Sequence, residues 1–134
     1  MTRLFLRIYF TNDAWLGPGK VELLEAIRDR RSISAAARTM SRTMSMSYRR
    51  AWLLIDGVNR LFGERAVETK LGGPHGGSAT VTPLGLEIIK RYRAMERAAR
   101  RAIARHAAPL ARRAHRAHRC RPTRSAPPPD AANA

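Results

Sequence analysis

The sequence of 134 residues has little cysteine, few acidic residues and no long apolar run, and each shortage excludes a class of protein. A single cysteine, Cys120, forms no internal disulfide, which favours a reducing compartment such as the cytoplasm. No apolar run approaches the roughly 20 residues of a membrane-spanning helix, and the N-terminus lacks a signal-peptide cleavage site. With 10 Asp+Glu against 26 Lys+Arg, the formal net charge is +16. Such a charge favours a polyanionic partner, most commonly nucleic acid.

The basic residues divide the chain near Glu96. Residues 1–96 carry 16 Lys+Arg and 9 Asp+Glu, whereas residues 97–134 carry 10 Arg and one Asp. Because the second part has almost no large apolar side chains, we expect a folded domain over 1–96 and an Arg/Ala/Pro-rich helical extension with a disordered tail over 97–134. The helix is expected to continue until Pro109. A GC-rich coding sequence also favours Arg and Ala, so composition alone leaves the role of the extension open.

The spacing of apolar residues predicts the elements of the folded part. In chain order these are a strand at 4–10, a helix at 19–30, a helix capped by Ser32 or Ser34, a helix from Ser47 to about Phe62, a hairpin of 66–71 and 78–81, and a helix from Pro83. Three helices followed by a two-stranded wing predict a winged helix-turn-helix, mainly α with a small β hairpin and a long C-terminal helix.

The third helix has the features of a DNA-reading helix. Its buried stripe is Ala51, Ile55 and Val58, and its exposed N-terminal face is Tyr48, Arg49, Arg50 and Leu53. Arginine can pair with guanine through two hydrogen bonds, tyrosine can contact a phosphate or a thymine methyl, and Ser47 with the helix N-terminus can bind a phosphate. Taken alone, Arg49 and Arg50 also fit a solvated charged face. Trp52 lies beside the stripe, which favours packing over base contact.

Three segments, LGPGKVELLEAIRDRRSISAAARTM, MSYRRAWLLIDGVN and ETKLGGPHGGSATVTPLGLEIIKRY, resemble the N-terminal DNA-binding domain of ModE-type molybdate-responsive transcription regulators, which is related to the LysR-type helix-turn-helix. The resemblance covers about residues 4–95. It implies a homodimer, joined through the first helix and the helix of residues 83–97, that reads pseudo-palindromic double-stranded DNA. The DNA-binding residues expected on this basis and from the helix faces are Ser34, Arg42, Ser47, Tyr48, Arg49, Arg50, Lys70, His75 and Ser78.

The chain departs from that family in two places. Family members continue into a molybdate-binding domain where this chain has its Arg-rich tail, so we expect no molybdate-binding domain here. The motif RTMS also occurs twice, so that ten positions separate Ala37 from Ser47, against about six in the helix-turn-helix pattern. The four extra residues, about 1.1 helical turns, either lengthen the second helix or form a longer turn that loops Arg42 toward the DNA.

Other chemistry has weak support. Gly17-Pro18-Gly19-Lys20 lacks the spacing of a phosphate loop, so Lys20 is a better candidate for a DNA-phosphate contact than for a nucleotide ligand. His115, His118 and Cys120 lack the paired spacings of a zinc site. No Ser-His-acid set or carboxylate pair is evident. We therefore expect no enzyme activity, cofactor or metal.

Three interpretations remain open. The first is a sequence-specific transcription regulator of the bacterial cytoplasm and nucleoid. The second is a nonspecific nucleic-acid-binding basic protein, nucleoid- or RNA-associated, that depends mainly on its Arg-rich tail. The third is a degenerate regulator in which the RTMS duplication has abolished DNA reading. Because phosphate contacts position a protein and base contacts carry sequence information, the first two differ in sequence preference.

Overall fold

The structure, a computed structural model, describes residues 2–44, 46–70 and 78–120, and of residues 41–44 only the backbone. Its elements in chain order are β1 (Ile8–Tyr9), β2 (Trp15–Leu16), α1 (Pro18–Arg30), α2 (Ile33–Met44), α3 (Tyr48–Phe62), β3 (Val67–Lys70), β4 (Ser78–Val81) and α4 (Pro83–Arg119). Strands β1 and β2 form one antiparallel pair, and β3 and β4 form another. The described chain is thus mainly helical with small antiparallel strand pairs and a long C-terminal helix, which confirms that part of the prediction.

The core is built from one face of each helix. The buried residues include Val21, Leu23, Leu24 and Ile27 of α1, Ile33, Ala36, Ala37 and Met40 of α2, Ala51, Ile55 and Val58 of α3, and Ile88, Ile89 and Tyr92 of α4. Most of these positions recur three or four residues apart, so each set forms a stripe on its helix. Burial of a Val, Leu or Ile side chain contributes about 1.5–3 kcal/mol. The stripes therefore fix how the helices pack and which faces remain exposed.

Hydroxyl side chains cap three of the helices. Ser32 Oγ accepts the N–H of Ala35 at 3.2 Å, Ser47 Oγ that of Arg50 at 3.1 Å, and Thr82 Oγ1 that of Gly85 at 3.2 Å. Of the two serines expected at the start of the second helix, Ser32 is therefore the cap. Gly63 ends α3 with φ of 62°, a left-handed conformation that glycine adopts without a Cβ clash.

The N-terminal strand is much shorter than expected. Only Ile8–Tyr9 pairs, with Ile8 opposite Leu16, and the prediction of a strand over 4–10 is wrong. The preceding residues are held instead by α4, because the buried hydroxyl of Tyr92 donates to the Leu6 carbonyl at 2.7 Å. A side chain of a helix thus takes the place of a partner strand.

The RTMS duplication lengthens the second helix. Helix α2 contains the first copy and continues into the second as far as Met44, so the prediction of an added turn is confirmed and the looped alternative for Arg42 is wrong. Ala36, Ala37 and Met40 keep the 3–4 spacing of the buried face, and Met46 is buried just before α3. Four added residues are about 1.1 turns and rotate the helix by only about 40° beyond a full turn, so the core face keeps its approximate orientation.

Helix α4 also exceeds its prediction, since it passes through Pro109 and ends at Arg119. Proline removes one backbone hydrogen bond, to the carbonyl of Arg105, and costs about 3 kcal/mol. Arg105 is exposed, so water can satisfy that carbonyl, and the flanking alanines and arginines are strong helix formers. The disordered tail was expected within residues 97–134, after Pro109, and the part of it that the structure describes, up to Arg119, is helical instead; residues 121–134 lie outside the described residues.

Gly85 provides the first test of this packing. A Cβ at this position would lie closer to the Ala66 carbonyl oxygen and to Val81 than real Cβ atoms come. The Ala66 backbone cannot shift freely, because its N–H donates to Asn59 Oδ1 at 2.8 Å and its carbonyl accepts from Thr82 N at 3.0 Å. We predict that Gly85→Ala lowers the free energy of unfolding in urea by about 1–3 kcal/mol.

The matched control is Gly57→Ala, also within a helix. Its Cβ would meet Lys20 Nζ at 3.7 Å, an ordinary contact, so the gain in helix propensity, up to about 1 kcal/mol, should dominate. Equal effects of the two substitutions would contradict the close approach of α4 to Ala66.

Tyr92 predicts a dependence of stability on alkaline pH. Burial, with the nearby Glu96 carboxylate, raises the pKa of Tyr92 to about 12 from 10.0. The folded state thus keeps a proton that the unfolded state loses, so this contribution is complete below pH 10 and is lost as pH rises toward 12. The free energy of unfolding should fall by up to about 1.4 kcal/mol per pH unit in this window.

Tyr92→Phe should remove that slope and, at neutral pH, cost about 1 kcal/mol for the lost hydrogen bond. Urea unfolding at pH 8, 10 and 11 measures both effects. Tyr48→Phe, on an exposed tyrosine, is the control and should keep the slope. A Tyr92→Phe protein with the alkaline slope of the parent would contradict the assignment.

Candidate nucleic-acid interface

The exposed side of α3 carries both basic and apolar side chains. Its buried stripe turns Arg49 and Arg50 outward, where both are exposed, and the Leu53 side chain is 61% exposed. A leucine this open on an otherwise packed helix has no role in the core. The N-terminal half of α3 therefore presents guanidinium groups beside an apolar surface, as expected from the sequence.

Two aromatic side chains lie on the same half of the helix. Tyr48 and Trp52, one turn apart, make an edge-on contact with ring centroids 6.2 Å apart and planes at 83°. Trp52 is 38% exposed, so most of its surface is covered, and the packing that the sequence favoured takes place on the helix surface and not in the core. Position 52 lies on the boundary of the buried stripe, and spacing alone does not decide to which side such a residue turns.

Two contacts hold the start of α3 in place, the hydrogen bond of its Ser47 cap and the burial of Met46. Ser47 Oγ is occupied by the N–H of Arg50, while Met46, buried before it, holds the end of the α2–α3 turn in the core. The other first-turn N–H groups of a helix lack intrahelical acceptors, and the helix dipole adds partial positive charge. This end of α3 is suited to an anion.

The C-terminal half of α3 is different. Asp56 forms an ion pair with Arg60 one turn later, and both side chains are largely exposed. A carboxylate on this side repels phosphate and neutralises the neighbouring arginine. The uncompensated positive charge of α3 is therefore concentrated in its first two turns.

Two further predicted residues lie on α2. Ser34 is exposed in the first turn, with its Oγ 3.2 Å from Ser32 Oγ. Arg42 lies in the last turns of α2, and its side chain lies outside the described residues. Ser34 is thus brought to the N-terminal end of α2, next to the cap.

The hairpin β3–β4 brings two other predicted residues together. Lys70 and Ser78 are directly opposite in the antiparallel register, and both are exposed. His75 belongs to residues 71–77, which lie outside the described residues. The strand pair is joined to α1 through the backbone of Arg31, whose carbonyl accepts the N–H of Ala79 at 3.0 Å. Arg31 adopts a left-handed conformation with φ of 56° at this junction.

Lys20 is not part of this surface, and its prediction as a phosphate contact is wrong. Its side chain is buried, its Nζ donates to the Trp15 carbonyl at 2.8 Å, and it lies 3.8 Å from the Trp15 ring centroid. Arg7 also stacks on that ring, at 3.9 Å. Burial, and then the charge of Arg7, lower the pKa of Lys20. The lysine ties β2 to α1.

A polar cleft that sequence reasoning missed lies between α1 and α2. It has a volume of about 330 Å³ and is lined by Arg30, Ala35, Arg38 and Thr39. The sequence signal was available, since Arg30 ends α1 and Arg38 lies off the buried stripe of α2. Because the chain has many other arginines, the sequence alone did not distinguish these two from the rest.

Comparisons with known proteins show which proteins the chain is similar to. The molybdenum transport protein ModE of Azotobacter vinelandii is 36% identical over 97 residues, which are 71% of this chain and 34% of that protein. The molybdenum-pterin-binding protein MopB of Rhodobacter capsulatus is 40% identical over 83 residues, 62% of this chain and 29% of that protein. The transcriptional regulator ModE of Haemophilus influenzae is 27% identical over 96 residues, 72% of this chain and 36% of that protein. No protein-family profile matches the chain.

The chain is therefore related to ModE-like proteins, and it spans about a third of the length of these relatives. One of these relatives is named a transport protein, one a molybdenum-pterin-binding protein and one a transcriptional regulator, and none of the three names is that of an enzyme.

Neither a cluster of metal-binding side chains nor a membrane-spanning helix is found among the described residues. No three His, Cys, Asp or Glu side chains come together there as a metal-binding group. No helix among the described residues is long and apolar enough to cross a membrane.

Proposed function

We propose that this chain is a sequence-specific DNA-binding transcription regulator with a winged helix-turn-helix domain over residues 1–96. In this proposal α2 and α3 form the helix-turn-helix, α3 reads the major groove, and β3–β4 is the wing. The observation that carries it is the N-terminal half of α3, where Tyr48, Arg49, Arg50 and Leu53 are exposed directly after the Ser47 cap, which follows the buried Met46.

The dimensions and chemistry of α3 support major-groove reading. A helix about 10–12 Å across fits a groove about 12 Å wide. Arg49 is four residues before Leu53, so both lie on one side of α3, the first suited to guanine and the second to a thymine methyl. Arg50 and Tyr48 flank this side and are suited to phosphates. The ion pair of Asp56 and Arg60 keeps the second half of the helix from competing for phosphate.

The other predicted residues would contact the DNA backbone. We assign Lys70, His75 and Ser78 to contacts between the wing and the adjacent backbone or minor groove. Ser34, at the N-terminal end of α2, and Arg42, at the other end, would contact phosphates beside α3. Such contacts fix the register of the protein on the duplex, whereas Arg49 selects the bases. The proposal places the protein in the bacterial cytoplasm, bound to the nucleoid, and assigns no molybdenum site to the described residues.

We also propose a homodimer, and an apolar groove supports it. The groove has a volume of about 630 Å³, and its lining includes Phe10, Leu16, Phe62, Leu84, Ile88, Ala94 and Met95. The sequence-based proposal joins the dimer through α1 and residues 83–97 of α4. The residues that line this groove come from α4, from the end of α3 and from residues 10 and 16, whereas most of α1 is buried within the chain. Of the two helices, α4 therefore offers the larger free surface for a second copy. A two-fold dimer would read two half-sites about one helical turn, or a multiple, apart.

The alternative function is nonspecific nucleic-acid binding by a basic protein. The specific observation that favours it is the run of exposed arginines in α4 beyond Glu96, with no acidic residue between Arg97 and Arg119. This alternative predicts steep salt dependence with little preference for any sequence.

Arg49→Ala distinguishes the two functions. An operator is first selected from random or genomic duplexes, and affinities for it and for a scrambled duplex are compared by fluorescence anisotropy. For a regulator, Arg49→Ala should lower discrimination at one base position by about 1–3 kcal/mol, because a two-pronged contact to guanine is lost.

Arg60→Ala is the matched control on the same helix. It removes the same charge but from a paired arginine in the second half of α3, so discrimination should stay as in the parent protein. A selection that enriches no sequence, or an Arg49→Ala protein with full discrimination, would instead favour nonspecific binding.

Ala94→Arg tests the dimer. Ala94 is exposed on α4 and lines the apolar groove, so a long charged side chain there should block a second copy and shift sedimentation velocity to a monomer. Ala102→Arg, on an exposed alanine outside the groove, should leave the dimer intact. Dimers that persist in Ala94→Arg would place the interface elsewhere.

A further inference from the structure

The arginines at the end of α4 are not evenly distributed around the helix. Residues 97–119 contain eight arginines. Six of them form a surface that we name the arginine face: Arg97, Arg101, Arg105, Arg112, Arg116 and Arg119. At about 100° per residue these six fall within an arc of about 100°, whereas Arg100 and Arg113 lie about 110° to either side of its centre. A compositional bias supplies arginines but does not select one side of a helix.

The charge of this face is uncompensated. All six side chains are exposed, and the sequence has no Asp or Glu between Arg97 and Arg119. The nearest carboxylate along the helix, that of Glu96, accepts a hydrogen bond from Arg93 at 2.6 Å. None of the ion pairs among the described residues involves an arginine of this face. Close like charges of this kind are stabilised by a polyanion.

The length and chemistry of the face match a DNA backbone. From Arg97 to Arg119 the helix rises about 33 Å, close to the 34–36 Å of one turn of duplex DNA. Guanidinium groups bind phosphate oxygens through paired hydrogen bonds, and a duplex offers one phosphate charge about every 1.7 Å. Arginines spaced along one side of α4 can therefore each find a phosphate oxygen within reach on the duplex.

Two other polyanions fit this surface less well. Single-stranded RNA is held largely by stacking of bases on aromatic rings, and residues 97–119 contain no aromatic side chain apart from histidine. An anionic membrane needs a helix with large apolar residues opposite its basic side. In α4 beyond Glu96 the large apolar side chains are only Ile103 and Leu110, among alanines.

We propose that the arginine face is a second, sequence-independent surface for duplex DNA phosphates, separate from α3. It goes beyond the proposed function, because it needs no base reading by α3. Within one chain, α3 would then supply sequence preference and the arginine face would supply salt-dependent affinity.

The test compares two double variants of the full chain. Arg105→Gln/Arg112→Gln removes two charges from the arginine face, and Arg100→Gln/Arg113→Gln removes two charges from the same part of α4 outside it. Glutamine keeps the helix propensity close to that of arginine, and circular dichroism checks the helix content. Affinity for a scrambled 30-base-pair duplex is measured by fluorescence anisotropy at salt concentrations of about 50–300 mM.

The face variant should lower the slope of log affinity against log salt by about two, one for each lost phosphate contact, and the control by less than half of that. At about 50 mM salt the face variant should bind at least about ten-fold more weakly than the control. Equal slopes for the two variants would overturn the proposal, because the effect would then be one of total charge. Tighter binding of the parent protein to vesicles of phosphatidylserine and phosphatidylcholine, or to single-stranded RNA, than to the duplex would overturn it too.

A second readout separates this proposal from the function proposed above. On a selected operator, the face variant should keep the ratio of operator to scrambled affinity within about two-fold, since only phosphate contacts are lost. Loss of that ratio would overturn a sequence-independent role. Suppose that the Arg49→Ala protein keeps the ratio of operator to scrambled affinity, while the face variant lowers the slope of log affinity against log salt as expected. The proposed regulator function would then be contradicted, and the proposal for the arginine face would be supported.

Discussion

The attachment of α4 to the rest of the chain is the constraint on which the remaining structure depends. Arg93 lies at its centre, with hydrogen bonds to Glu25 of α1 and to Glu96 of α4 itself. The hydrogen bond to Glu25, above all, raises the pKa of Arg93. Next to it, Tyr92 is fully buried and holds the Leu6 carbonyl. One turn of α4 thus fixes α1, the N-terminal segment and the direction of the exposed helix beyond Glu96.

A second set of ion pairs determines which arginines keep their positive charge uncompensated at the surface. Three carboxylates form ion pairs within their own helices, Asp29 with Arg28, Asp56 with Arg60 and Glu87 with Arg91. Exposed pairs of this kind contribute little to stability, about 0–1 kcal/mol. Their larger effect is on the field around the protein, because each neutralises an arginine away from the first turns of α3 and away from the arginine face.

The sequence predicted the helices well because their apolar stripes and caps are local signals. Ser47, Gly63 and Pro83 mark helix ends through their own backbone chemistry, and the lengthening of α2 follows from the turn-sized RTMS repeat. The exposed half of α3 was predictable for the same reason, since Ala51, Ile55 and Val58 leave only one side free. For Trp52, at the edge of that stripe, the spacing predicted packing but not how much of the side chain stays exposed.

Two of the failures share a different cause, which is contact between elements, and the third, at Pro109, comes from exposure to water. Lys20 has the spacing of a phosphate contact, but a carbonyl and a ring of Trp15 bury it. The strand over 4–10 has apolar residues enough, but Tyr92 of α4, far along the chain, binds its backbone. Pro109 was expected to end α4, yet an exposed helix can hydrate the carbonyl that proline leaves free. Local propensity therefore fixes where the helices of this protein lie, whereas the attachment of α4 depends on residues distant in sequence, through Tyr92 to Leu6 and Arg93 to Glu25.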